Sequence, residues 1–164
     1  MGGLMIPGEL ANLLNELGYT WPKSDETKLL ELGRHWMDYG GKVEGLVGDA
    51  EAGAGRVWPD NSGAAIEAFR AKWAGENSAL AVTRDGATGA QVVGAALFVC
   101  AAIVLALKIN VIVQLTILLI EIIQAIATAA PTFGASLLEI PVFKKLADIA
   151  INLIINQALE AILG

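Results

Sequence analysis

The chain of 164 residues is apolar and acidic: 55% of its residues are hydrophobic, its mean hydropathy is +0.57 and its net charge is −6. That length suits one domain able to bury roughly two thirds of its extended surface, and an acidic chain without a basic cluster argues against nucleic acid as a partner. One cysteine and one histidine exclude an intramolecular disulfide and leave too few ligands for a zinc site.

Charge is unevenly spread. Residues 1–85 carry thirteen acids and eight bases, residues 86–164 only four and three. No Lys or Arg precedes Lys23 and no long apolar core lies before it, which predicts no cleavable signal peptide. Pro7 can open a short helix, on which Leu10, Leu13, Leu14 and Leu17 follow i, i+3, i+4, i+7 spacing before Gly18 stops it. Pro22 holds the Tyr19–Pro22 connector extended.

Ser24 reads as the N-cap of a second helix, with Asp25 and Glu26 complementing its dipole. Leu29, Leu32, Trp36, Tyr39, Val43 and Leu46 then run in 3-4 spacing, continued by Ala50 and Val57, as a heptad seam. Gly40, Gly41, Gly45 and Gly48 weaken that helix by roughly 1 kcal/mol each relative to Ala, and Gly41-x-x-x-Gly45 predicts close passage of another helix. Trp58-Pro59-Asp60-Asn61-Ser62-Gly63 is a turn, with Asn61 or Ser62 as the next cap. Ile66, Phe69 and Trp73 form one face of the helix that follows, so the two make an antiparallel hairpin. The pattern weakens around Gly75–Gly89, which predicts a kink or connector.

The segment from Gly86 to Leu138 is the most unusual. Lys108 and Glu121 are its only charges, whereas a surface helix normally has a charged face. Asn110, Gln114, Glu121, Gln124 and Thr128 fall within about 80° on a helical wheel, with Lys108 roughly opposite. This stripe either faces other polar groups in a bundle or lines a water path through a membrane. Glu121 is accordingly a structural carboxylate, with a partner such as Lys108 of a neighbouring chain, or a lining residue. Gly86, Ala90 and Gly94 form a small-residue row suited to close helix approach. The helix ends near Pro131, residues 131–135 reverse the chain, and Pro141 starts a final amphipathic helix. The fold class expected is all-α: residues 1–85 hold a short helix and a hairpin, residues 86–164 the hydrophobic helix and the last helix, in one integrated domain.

A catalytic site is hard to assemble. Cys100 lies in an apolar run without an identifiable base, His35 adjoins Trp36 as a structural histidine, and Gly53-Ala54-Gly55 ends a helix rather than following a strand. The reading is therefore no enzyme, no catalytic residue, no metal and no cofactor.

Several short stretches together resemble a known family. They are Leu17-Gly18-Tyr19-Thr20-Trp21-Pro22, Asp25-Glu26-Thr27-Lys28-Leu29, Trp36, Trp58 with Asn61-Ser62-Gly63, Ala68-Phe69, Trp73, Cys100-Ala101, Leu105-Ala106-Leu107-Lys108, Thr132–Ser136 and Ile140-Pro141. The chain resembles the WXG-like N-terminal domain of actinobacterial polymorphic toxins, and is similar to the N-terminal part of the mycobacterial channel protein with necrosis-inducing toxin. The resemblance implies a WXG-like helical hairpin linked to type VII (ESX) secretion, usually ahead of a C-terminal toxin. It implies small WXG-type helical partners or a homo-oligomer, and export by a non-classical route or association with the cell envelope. The Trp-X-Gly turn is altered here, since Pro59-Asp60 follows Trp58. The tyrosines are Tyr19 and Tyr39, neither in the Tyr-x-x-x-Asp/Glu export pattern, so a partner is expected to supply that tail.

Two functions are compatible with these features. One is a non-enzymatic secretion and interaction module, docking partners through Trp58, Asn61, Ser62, Gly63, Phe69 and Trp73. The alternative is a membrane-inserting channel or toxin-translocation domain with the Asn110–Thr128 stripe as its lining. A helix of 45 residues would span about 67 Å, over twice the hydrocarbon thickness, which favours burial of residues 86–130 by protein.

Overall fold

The computed structural model describes residues 2–164 and is all-α. The helices are α1 (Gly8–Glu16), α2 (Glu26–Gly55), α3 (Ala64–Trp73), α4 (Ala79–Ala127) and α5 (Ile140–Leu163), with a 3-10 turn at Ala135–Glu139. They group into two compact units. Unit 1 holds the N-terminal residues through Lys28 together with Cys100–Gly164; unit 2 holds Leu29–Val99.

Unit 1 is built on the leucines of α1. Leu10, Leu13 and Leu14 bury against Val111, Leu115 and Leu118 of α4 and Ala147 and Ile151 of α5, with Tyr19, Trp21 and Phe143 closing the sides. Burying such side chains stabilises by about 1.5–3 kcal/mol each. Gly18, at φ +88°, turns the chain out of α1 where an L side chain would be strained. The Tyr19 hydroxyl donates to Asp148 Oδ1 at 2.8 Å. That bond, with burial behind it, raises the Tyr19 pKa, while Lys145 and Tyr19 together lower that of Asp148.

An ion pair lies in this apolar setting. Lys108 is 2% exposed and Glu26 6%. Lys108 Nζ donates to Glu26 Oε2 and to the Ser24 carbonyl, both at 2.7 Å, and stands 5.9 Å from the Trp21 ring centroid. The Leu4 N–H donates to the other carboxylate oxygen, and Trp21 Nε1 donates to the Leu4 carbonyl at 3.2 Å. Burial pushes the Glu26 carboxyl up, but hydrogen bonds from Lys108, its own N–H and Leu4 outweigh it, leaving it below the ordinary carboxylate value. Lys108 is thus taken by Glu26 of its own chain, which corrects the expected pairing with Glu121 of a neighbour. The cap of α2 is also corrected. Asp25 Oδ1 accepts from the N–H groups of Thr27 and Lys28 at 3.0 and 3.1 Å, while Ser24 serves Lys108 through its carbonyl.

In unit 2, α2 runs antiparallel to the first part of α4. Glu51 pairs with Arg84, Gln91 donates to Glu44 at 3.1 Å, and Gly33 lies against Phe98 and Gly94. Small residues set the approach: Gly33, Gly40, Val47 and Ala54 are buried on α2, and Ala87, Ala90 and Gly94 on α4. A Cβ on Gly40 would lie 2.9 Å from the Ala87 carbonyl oxygen, and one on Gly94 2.8 Å from that of Gly33. The expected Gly41–Gly45 approach is absent, because both are open to space, as is Gly86. α4 begins before the expected connector has ended. Ser78 Oγ accepts from the Ala81 N–H at 3.1 Å, and Gly86 and Gly89 sit inside an unbroken helix of 49 residues.

Two outcomes follow from this packing. Gly40→Ala and Gly94→Ala should each destabilise by about 1–3 kcal/mol through overpacking, whereas Gly41→Ala should stabilise by about 0.5–1 kcal/mol; denaturant unfolding of the three variants checks the contrast. Lys108→Met should cost about 3–5 kcal/mol by stranding a buried carboxylate. Because the folded Glu26 pKa is depressed, its contribution is complete above the ordinary unfolded carboxylate value and is lost as pH falls through the folded pKa. Acid unfolding of wild type against Glu26→Gln measures that difference.

Candidate docking surface

The apolar seam expected along α2 faces outward. Leu32 is 47% exposed, Tyr39 56% and Leu46 66%; Trp36 is exposed too, while Leu29 and Val43 are half-buried. The reason is a rotation by one residue: Gly33, Gly40 and Val47 take the place against α4, so their larger neighbours turn to the adjoining face. Trp36 and Tyr39 meet edge to face, 6.2 Å between centroids at 89°. With Leu32 and His35 they line an open groove. Farther along, Leu46, Val47 and Ala50 share a second groove with Trp73, Leu80 and Thr83.

The turn after α2 gathers most of the other expected docking residues. The Trp58 ring packs on Phe69 with centroids 5.0 Å apart, and Phe69 on Trp73 at 5.6 Å. The Arg70 guanidinium stands 5.2 Å from the Trp58 ring and donates to the Trp58 carbonyl at 3.3 Å. Asn61 and Ser62 do not cap α3. Asn61 Nδ2 instead donates back to the Val57 carbonyl at 2.9 Å, and the N-cap is Gly63 at φ +110°, a conformation that favours glycine. α3 has no buried residue; on its aromatic face Phe69 packs on Trp58 yet stays exposed, and Trp73 is half-buried beside Leu46 and Leu80.

The polar stripe lies on α4 away from Lys108. Asn110, Gln124 and Thr128 are exposed, Gln114 and Glu121 half-buried. Gln114 and Glu121 line a groove with Phe143, Leu146, Ala147 and Ala150 of α5, and Asn110 another with Ile154 and Gln157. Thr128 donates to the Gln124 carbonyl at 2.9 Å. Around this stripe Ile109, Val113, Ile117, Ile120 and Ile123 are exposed on α4, as are Val142, Leu146, Ile149 and Leu153 on α5.

Among the described residues, no three His, Cys, Asp or Glu side chains converge, and Cys100 is a half-buried free thiol. Sequence reasoning missed the Glu26–Lys108 pair, whose partners stand 82 positions apart. Periodicity could have placed Gly33 and Gly40 beside the seam, but it carries no sign of which face would be covered.

A family model described as WXG100 like domain matches residues 6–158. No curated protein and no solved structure matches the chain.

Trp58→Ala should cost about 1–2 kcal/mol, since a half-buried ring loses one aromatic and one cation–π contact. A double-mutant cycle with Phe69→Leu in thermal melts should recover part of that cost as coupling.

Proposed function

Because the chain belongs to the WXG100-like family, helical and secretion-related proteins that typically pair with helical partners, we propose that it is a non-enzymatic secretion and interaction module of a type VII substrate. The α2 stripe of Leu32, Trp36, Tyr39, Val43 and Leu46 receives a WXG-type helix. The Trp58–Phe69–Trp73 cluster with Asn61, Ser62 and Gly63 forms a second contact at the hairpin turn. The single observation that supports this most is the outward seam. Aromatic and branched residues at 3-4 spacing stand in solvent while glycines beside them are buried, the arrangement of a helix-in-groove or coiled-coil face awaiting its complement. Association with a toxin or effector, and export through the ESX route, belong to the same reading.

A second reading is favoured by the two most apolar helical stretches, which lie largely in unit 1. Two helical stretches, Ala79–Ala127 and Ala135–Leu163, are long and apolar enough to cross a membrane, and only 22% and 11% of their most apolar windows are buried. In that reading unit 1 meets lipid, and a channel or translocation form has Asn110, Gln114, Glu121, Gln124 and Thr128 along its water path. Self-association would cover the same faces.

The partner reading is tested with Trp36→Asp/Tyr39→Asp. Both side chains are exposed, so folding should be kept while export by a type VII-competent host and co-purification of a helical partner fall at least tenfold, the loss of about 1.4 kcal/mol or more. Normal export with both substitutions present would sink the reading.

A further inference from the structure

Unit 1 ends in a cap without charge. No ionisable side chain occurs between Glu121 and Glu139, the stretch in which α4 finishes, the chain reverses and α5 is reached. Its hydroxyls are used internally: Thr132 Oγ1 donates to the Thr128 carbonyl and Ser136 Oγ to the Ala125 carbonyl, each at 2.7 Å. What the cap presents outward is mostly apolar, with uncharged Gln124, Thr128 and Thr132 as its exposed polar side chains. Ile123, Ile126, Phe133, Leu137 and Leu138 are exposed, Phe133 completely and Leu138 by 78%. Phe133 also stands at φ +52°, a left-handed conformation costly for a bulky side chain and easily adopted by Asn. A fully solvated ring on strained backbone contributes nothing to the packing of unit 1.

Charge returns at one level on both arms. Glu121 shares its groove with Phe143 and Leu146, so Lys144 and Lys145 lie beside the same tier. They are neutralised by Glu16 and Asp148, at 2.7 and 3.0 Å. Five exposed side chains fall well short of the roughly 20–30 residues a side of a specific protein interface. A bilayer needs no complementary shape and takes apolar side chains singly. We propose that this cap, residues 122–138, dips into one leaflet of a lipid bilayer and holds unit 1 at the membrane surface without crossing it.

Dimensions and charge limit the depth. Ile122–Ala127 rises about 9 Å, less than half of a hydrocarbon core of about 30 Å. Lys144, Lys145 and Asp148, near the start of α5, keep that helix from following. With those lysines paired by Glu16 and Asp148 and with Glu121 and Glu139 beside them, the rim of the cap is net negative, so neutral bilayers are bound in preference to anionic ones.

The proposal rests on the second reading above, that unit 1 meets lipid, and the experiment separates the two. The full chain is floated with neutral phosphatidylcholine vesicles. In a Cys100→Ala background, nitroxide labels at Phe133→Cys and Val113→Cys report depth. The wild type should float, with position 133 shielded from aqueous relaxants and position 113 accessible. Phe133→Asn should lower partitioning at least about tenfold while its melting temperature is kept or raised. Absence of flotation overturns both the cap and the lipid reading. Flotation with position 113 shielded, or a conductance altered by Glu121→Gln, overturns the shallow cap and leaves the lipid reading standing. Self-association that depends on Phe133 without flotation assigns the cap to a second copy and also overturns the proposal.

Discussion

Lys108 brings a positive charge onto the buried face of α4, between Ala101 and Val104 on one side and Val111 and Leu115 on the other. Desolvating an ammonium group costs several kcal/mol unless partners compensate, so unit 1 is viable only in the arrangement that supplies them. Glu26, the Ser24 carbonyl and the Trp21 ring do so. A slip of α4 by one residue would carry the charge about 100° round the helix, away from all three. The pair is therefore better understood as fixing register than as adding stability, and the α1 leucines pack on a helix whose rotation is already set.

Unit 2 achieves its register by the opposite means. No charge is buried there; the close contact runs through Gly33, Gly40 and Gly94, where backbone meets backbone. Such a contact specifies spacing strongly but consumes little apolar surface. The large side chains of α2 are consequently left over, and the exposed apolar face of the helix results from how its covered face is built.

Much of this was legible in the sequence, and what was not has a physical reason. The α1 leucines with Gly18, the reversal around Thr132–Gly134, Pro141 at the start of α5 and the all-α class all follow from local rules, and local rules held. The seam on α2 was legible as a stripe but not as an outward one. Periodicity reports which residues prefer to leave water, whereas contact with α4 was decided by which residues allow the closest approach. The stretch around Gly75–Gly89 looked like a kink or connector because its apolar pattern weakens, yet α4 starts at Ala79 and runs through the rest of it. Its glycines cost about 1 kcal/mol each, which a helix of 49 residues absorbs. Glu26 resembled a first-turn acid serving the helix dipole, and nothing near it in sequence announced Lys108. Trp58 was legible as part of a turn, yet its contacts to Phe69 and Arg70 depend on α3 folding back, which lies beyond local spacing.

The first residues of the chain acquire an unusual status. The Gly3 N–H donates to Thr27 Oγ1 at 3.2 Å, the Leu4 N–H to Glu26, and the Leu4 carbonyl accepts from Trp21. Gly3 stands at φ +97° with Lys108 Nζ only 3.3 Å from where a Cβ would be. Displacing this short stretch would therefore act as a core mutation, stripping a hydrogen bond from a buried carboxylate whose cation lies 82 positions along the chain. Residues 3 and 4 serve as a clasp over the ion pair, and a substitution there is felt on α4.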